Sequence, residues 1–497
     1  MASTKDLYER YKEKMQRIAD LKNATAILQW DRETYLPKKG AVYRGQQLST
    51  LSEIGHQLFS EAELGNILND LSGKELGFIE KRNIELTLED YTKNKKYSSE
   101  FVRKLSDQVN KTFHAWIEAR RQNRFSVFEN DLCALVELKK QETEVLGYQH
   151  HPYDALLNEF EKGATVELID KTFSALLPEL KNIITRIINK PQVDDSFLRQ
   201  HFPKQQQWDW GMYLIKQLNF DFEAGRQDIS EHPFSTSFNS NDVRITTRIA
   251  ENDFGNMTWS CIHEVGHALY EQGLPLDQYG LPSGEACSYS IHESQSRLWE
   301  NNVGRSKKFW QYYLPQLQKY FPEQLGSISL DQFYKGINKV QPSLIRTEAD
   351  ELTYHFHIYI RYELEKKLIE GSISAKEIPE FWKLQYKNLL GVDVVDDKNG
   401  SLQDVHWSHG SFGYFPSYSL GSLYAAQFFS TANKDLKNLE EQVGEGSFLN
   451  LLDWLRKNIH SQGRTYMCEE LCKKITGNTL QIEHFTDYML HKYKLIY

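Results

Sequence analysis

His263-Glu264-Val265-Gly266-His267 is the stretch from which this 497-residue chain is best read. Residues four apart on an α-helix share a face, with side chains roughly 6 Å apart, near enough to hold one ion. Glu264 lies off that face, where it can hold a water instead, the general-base position of zinc peptidases. The surroundings fit a helix. Asn252 to Thr258 is polar or glycine-containing, and from Met257 the apolar positions Cys261, Ile262, Val265, Ala268 and Leu269 recur at helical spacing. Gly273 and Pro275 then supply a stop.

Such a site needs a third protein donor and an open position for water. Glu271 lies too far along the axis from His263 to join it, since eight residues of helix span roughly 12 Å. The metzincin continuation is absent, because Tyr270 and Gly273 stand where it requires glycine and histidine. The donor must come from another segment, and Glu293 within Ser290-Ile291-His292-Glu293-Ser294-Gln295-Ser296-Arg297-Leu298-Trp299-Glu300 is the best source. A competing reading makes Ser290 and Glu293 a capping box at a helix start.

These residues, with several others in order, make the chain resemble the carboxypeptidase Taq family of metallocarboxypeptidases. HEVGHALYEQG followed by HESQSRLWE carries the likeness, together with His232-Pro233-Phe234, Asp242-x-Arg244-x-Thr246, and Ile345-Arg346-Thr347-Glu348-Ala349-Asp350. Gly400-x-x-Gln403-Asp404-x-His406-Trp407 and the N-terminal run Leu28 to Pro37, LQWDRETYLP, extend it over nearly the whole length. The resemblance implies one divalent metal on His263, His267 and Glu293, with Glu264 as base and proton shuttle. Zinc is the default for such donors in a hydrolase, with cobalt or manganese as substitutes.

A carboxypeptidase must also recognise a free carboxylate, which the planar fork of arginine does best. Arg346 is the first candidate and Arg244 the second, both in segments matching family motifs. Arg244 also lies in Asp242 to Ile249, an alternating stretch whose arginine can simply pair with a neighbouring acid. An oxyanion donor is expected from Gln403 to Leu420, QDVHWSHGSFGYFPSYSL, where His406, Tyr414 and Tyr418 are the candidates. The likeness to related glutamate-ligand zinc peptidases implies a histidine and a tyrosine from this region. The same stretch also reads as an aromatic lid, with Gly410, Gly413, Gly421 and Pro416 marking irregular backbone. Arg297 occupies the position where an acid could orient a metal histidine, so Asp350 or Glu351 is assigned that task.

Composition sets the outer limits. The chain is long enough for two or three lobes and carries 59 Lys and Arg against 68 Asp and Glu, net charge −9, with no basic run suited to nucleic acid. The start MASTKDLYERYKEKMQ lacks the apolar core of a signal peptide, and no stretch is apolar enough to span a bilayer, so a cytoplasmic protein is expected. Five cysteines, at 133, 261, 287, 468 and 472, argue against a disulfide framework and read as reduced thiols.

Helical periodicity dominates. Stripes run through Leu7, Tyr11, Met15 and Ile18, and through Phe101, Leu105, Val109, Phe113 and Trp116; similar patterns occupy 166 to 190, 349 to 370, 446 to 459 and 482 to 496. The clearest strand is Val243 to Ile249. The expected fold is mainly α: one large helical body over residues 1–497 without a clean boundary, a deep active-site groove, and a small β-sheet beside the metal helix, with the metal site built from 257–304. The resemblance implies a homodimer, although the first stripe reads as core. The expected function is release of single amino acids from peptides with a free C-terminal carboxylate; the alternatives are an endo-acting zinc oligopeptidase or a catalytically silent peptide-binding protein.

Overall fold

The computed structural model describes residues 3–497. Helices dominate, and the described residues contain one small sheet of three strands. The chain divides into two compact units, each assembled from three separate stretches. The first holds Met1–Lys95, Asp194–Ile337 and Tyr424–Leu480, and the second holds Lys96–Val193, Asn338–Leu423 and Gln481–Tyr497. Because both units are discontinuous, no change in composition along the chain marks a boundary.

In the first unit, the helix Thr4–Thr34 begins at Ser3, whose hydroxyl accepts from the Asp6 amide while Asp6 accepts from the Ser3 amide. Tyr8, Tyr11 and Met15 on this helix are buried against Leu64, Ile67, Leu68, Leu71, Ile84 and Tyr91, with Leu7 and Ile18 at the edge. The N-terminal stripe is therefore core, each fully buried side chain contributing about 1.5–3 kcal/mol.

The sheet belongs to the same unit. Strands β1 (Gly225–Ile229), β2 (Ser235–Asn239) and β3 (Asp242–Thr247) are ordered β1-β3-β2, with β3 parallel to β1 and antiparallel to β2. Only β3 announced itself in the sequence, because Val243 and Ile245 supply buried alternating apolar positions. GRQDI and STSFN are short and mostly polar, and they become strands by pairing with β3. β3 ends at Thr247, two residues short of the expected Ile249. Both β2 and β3 pack on the following helix, Phe254–Glu271, so the small sheet does lie beside the helix that carries HExxH.

In the second unit the helix Tyr354–Glu370 is buried along nearly its whole length, including the polar residues His355, His357, Arg361 and Glu365. The stripe Phe101 to Trp116 lies half-buried on the helix Ser99–Gln122, which packs on Ser126–Leu146. The other expected helices form as Val166–Ile188, Leu449–Asn458 and Glu483–Lys494. No helix among the described residues is long and apolar enough to cross a membrane, and all five cysteines are free thiols.

Candidate metal centre and carboxylate site

The helix Phe254–Glu271 starts at Asp253, which accepts from the Gly255 amide at 2.9 Å. Gly266, inside HExxH, decides how closely the next element can approach. A Cβ there would stand 2.5 Å from Ser296 Cα and 2.8 Å from the Gln295 carbonyl oxygen, so only glycine lets the helix Tyr289–Arg297 press against this one. That contact brings Glu293 to the histidines. Glu293 Oε2 lies 3.9 Å from His263 Nε2 and 3.6 Å from His267 Nε2, and the three donor atoms all fall within 4.8 Å of one another. Two donors that each sit ~2.0–2.2 Å from one ion are separated by at most about 4.4 Å, so the set fits a divalent metal after small adjustments. Ser288, not Ser290, caps this helix, accepting from the Ile291 amide. Glu293 is thus free of the capping box that competed for it.

The far side of each imidazole is also held. His263 Nδ1 is 2.8 Å from Glu300 Oε2, and His267 Nδ1 is 3.1 Å from the His292 carbonyl oxygen. Those bonds fix the rings with both Nε2 atoms aimed toward Glu293. Glu300 lies seven residues after Glu293, a spacing that returns to the same helix face, and it sits in a π-helical turn, Leu298–Gly304. Arg297 stitches the acids together: its Nε donates to Glu293 Oε1 at 2.7 Å and its Nη1 to Glu300 Oε2 at 3.3 Å, leaving Glu293 Oε2 toward the histidines. Burial pushes the Glu300 carboxyl up, but Arg297, His263 and Arg305 outweigh it and hold it well below the carboxylate range.

The assignment of Asp350 or Glu351 to this task is corrected by these contacts. Asp350 accepts from the amides of Gln341, Leu352 and Thr353, and Glu351 from Lys492 and Tyr488, all within the second unit. Glu300 was visible in the sequence, as the last residue of HESQSRLWE, and the signal that could have found it is its place seven residues after Glu293, which returns to the same helix face. Removing it by Glu300→Ala is expected to weaken metal affinity by about 10–100-fold, read by competition with a chromophoric chelator.

Glu264 is buried beside the donors. Its Oε2 accepts from Ser235 Oγ of β2 at 2.5 Å. Burial lifts its carboxyl above the ordinary range against the pull of His263 and Ser235, a shift toward a base that works near neutral pH.

Arg244 on β3 lies beside Arg226 of β1 in register. It is doubly bonded to Asp242, Nε to Oδ1 and Nη2 to Oδ2 at 2.9 Å each, and its guanidinium lies 4.5 Å from the Trp30 ring centre and 5.0 Å from that of Phe238. The acid pairing that competed with a binding role is present.

The remaining candidates gather in the second unit. Arg346 is buried, donating from Nε to Asp404 Oδ1 at 3.0 Å and from Nη1 to the Tyr354 hydroxyl at 3.2 Å. Arg361, fully buried, donates to Asp404 Oδ2 at 2.6 Å and to Gln403 Oε1 at 2.8 Å. Two guanidiniums thus share one carboxylate, and the cluster keeps a positive charge. His406 Nε2 lies 3.2 Å from the Tyr418 hydroxyl, and its ring packs 5.4 Å from Tyr414 and 4.5 Å from Phe415. Burial drives the His406 imidazole down to about 3 against the pull of Asp404, so it is neutral at ordinary pH. The Tyr418 ring centre is 5.0 Å from the Arg346 guanidinium. The structure thus brings Arg346, His406, Tyr414 and Tyr418 into one cluster.

Two histidines on one helix and a glutamate from the next, on a mainly helical fold, offer three donors that could hold one divalent ion, as a metallopeptidase requires. The model of the carboxypeptidase Taq (M32) metallopeptidases matches residues 10–493, and the chain belongs to that family. Carboxypeptidase 1 of Bacillus subtilis is 38% identical over 97% of both chains. Among solved structures, the protein designated CHT is 58% identical, covering 98% of this chain and 99% of its own, with a TM-score of 0.96. The M32 carboxypeptidase of Deinococcus radiodurans is 35% identical over 99% of each chain, also with a TM-score of 0.96. The chain is thus a metallocarboxypeptidase, a peptide hydrolase of a family that uses a divalent metal.

Proposed function

We propose that this protein removes single amino acids from the C-terminus of peptides, and that His263, His267 and Glu293 hold its metal, zinc by the default for such donors. The convergence of those three donor atoms next to Glu264 is the observation that carries the reading. A divalent ion there supplies Lewis acidity toward the scissile carbonyl and lowers the pKa of water in its open position, chemistry that cobalt or manganese can also provide.

The chain's own residues do the rest. Glu264 takes the proton from the attacking water as the carbon–oxygen bond forms and returns it to the departing amine as the carbon–nitrogen bond breaks. Tyr418 or His406 donates a hydrogen bond to the oxyanion, with Tyr414 the third candidate. A neutral His406 still carries one ring N–H that it can donate. Arg346 takes the terminal carboxylate, with Arg244 second, because the positive charge left over in the Arg346–Asp404–Arg361 cluster favours an anion.

A homodimer and a cytoplasmic setting complete the reading. Five free thiols suit a reducing compartment, and light scattering tests the dimer. The N-terminal stripe is already used within the chain's own core, so the interface lies elsewhere.

The decisive experiment is mass spectrometry of a mixed-sequence peptide incubated with metal-loaded protein, beside its C-terminally amidated twin. Stepwise loss from the free end of the first alone is expected. Internal cuts in both would replace this reading with an endo-acting oligopeptidase, and no cleavage of either with a peptide-binding protein.

A further inference from the structure

The helix Tyr354–Glu370 presents Arg361 and Glu365 one turn apart, and both reach into the stretch that carries His406, Tyr414 and Tyr418. Arg361 secures its start through Gln403 and Asp404. Glu365, fully buried, secures two later points. Its Oε1 accepts from the Trp407 indole N–H at 2.8 Å, and its Oε2 accepts from the Gly413 amide at 2.8 Å. Oε2 also receives the Tyr153 hydroxyl, from the helix Pro152–Phe160. Gly413 has φ +100°, and a Cβ there would meet the Leu156 carbonyl oxygen at 2.4 Å, so the backbone is pressed onto that same helix at the point where Glu365 holds it.

We infer that Glu365 is a positioning residue: its carboxyl group ties Trp407 and Gly413 to one helix and so fixes where His406 and Tyr418 present their donors. The inference rests on the reading that one of those two side chains serves the oxyanion. A carboxyl group is the only side chain that fits all the donors. Ionised, it accepts from all three; protonated on Oε2, it still accepts from Trp407 and Gly413 and donates to the Tyr153 oxygen. Glutamine must turn its NH2 toward either the indole N–H or the Gly413 N–H, setting donor against donor in a dry interior. Burial lifts the Glu365 carboxyl to about 7 against its three donors and Lys139, so both forms are populated near neutral pH and both serve. The titratable groups facing it are Tyr153 and Lys139, the latter paired with Glu142.

The test compares Glu365→Gln, Trp407→Phe and Tyr153→Phe in the metal-loaded full chain, with melting temperature measured for each. Displacing a donor by a fraction of an ångström costs on the order of tenfold to a hundredfold in kcat with little change in KM. Glu365→Gln and Trp407→Phe, which cut bonds to the donor-bearing stretch, are expected to show that pattern. Tyr153→Phe, which leaves both of those bonds, is expected to melt lower yet keep its kcat. Glu365→Gln is also expected to add no further loss to whichever of Tyr418→Phe or His406→Gln lowers kcat. Equal kcat losses in Tyr153→Phe and Glu365→Gln at equal melting shifts, or a fully additive double variant, would overturn the positioning role and leave the donor reading standing. If neither Tyr418→Phe nor His406→Gln lowers kcat, the donor reading fails and this inference with it.

Discussion

Glu264→Gln is expected to slow peptide hydrolysis by about 10²–10⁴-fold while leaving metal content unchanged. The amide keeps the shape of the side chain, and the Ser235 hydroxyl still finds an oxygen to donate to. What is lost is the capacity to take a proton from water and hand it to the leaving amine. His263, His267 and Glu293 are untouched, so one metal per chain should persist by elemental analysis. The variant thereby separates the two enzyme readings from the binding one. A carboxypeptidase and an oligopeptidase both lose turnover, whereas a peptide-binding protein keeps its affinity for peptide. Loss of the metal together with activity would mean that Glu264 belongs to the donor set, and the assigned roles would have to be exchanged.

The HExxH helix and its partner were legible because their information is local: a four-residue spacing, a helix stop, a glutamate one loop downstream. The long stripes were legible for the same reason, and Tyr11 and Met15 are buried as their spacing requires. Three things were missed. β1 and β2 lack apolar alternation and exist through pairing with β3, which is a tertiary effect. Glu300 lies seven residues after Glu293, on the same helix face at regular pitch, yet only the four-residue position held by Arg297 was weighed for orienting a histidine. The Asp404 pairing of Arg346 and Arg361 joins residues far apart in sequence, so the motif around Arg346 pointed to an arginine without revealing that its charge is shared. For Arg244 the sequence left two readings open, and the pairing with Asp242 that one of them required is two residues away, near enough to have been named in advance.

Arg346→Lys is expected to cost about 10²–10³-fold in kcat/KM on peptides with a free carboxylate, because charge-assisted hydrogen bonds contribute about 1.5–3 kcal/mol each and an ammonium cannot reproduce the two-pronged fork. Hydrolysis of amidated peptides should stay at its low level, so discrimination between the two substrates collapses. The substitution keeps a positive charge beside Asp404, whose second oxygen remains bonded to Arg361, so the buried acid is not stranded and the fold should survive. Arg244→Lys supplies the comparison. Its Nε and Nη2 are committed to Asp242, which cancels its charge, and its guanidinium is packed against Trp30 and Phe238, so the loss should be smaller. The ranking follows from charge. Arg244 and Asp242 cancel, whereas two arginines around Asp404 leave one positive charge over, and Arg361 is fully enclosed, so an incoming carboxylate must meet that charge through Arg346. A larger loss of kcat/KM in Arg244→Lys than in Arg346→Lys would reverse this order and move the carboxylate anchor to β3.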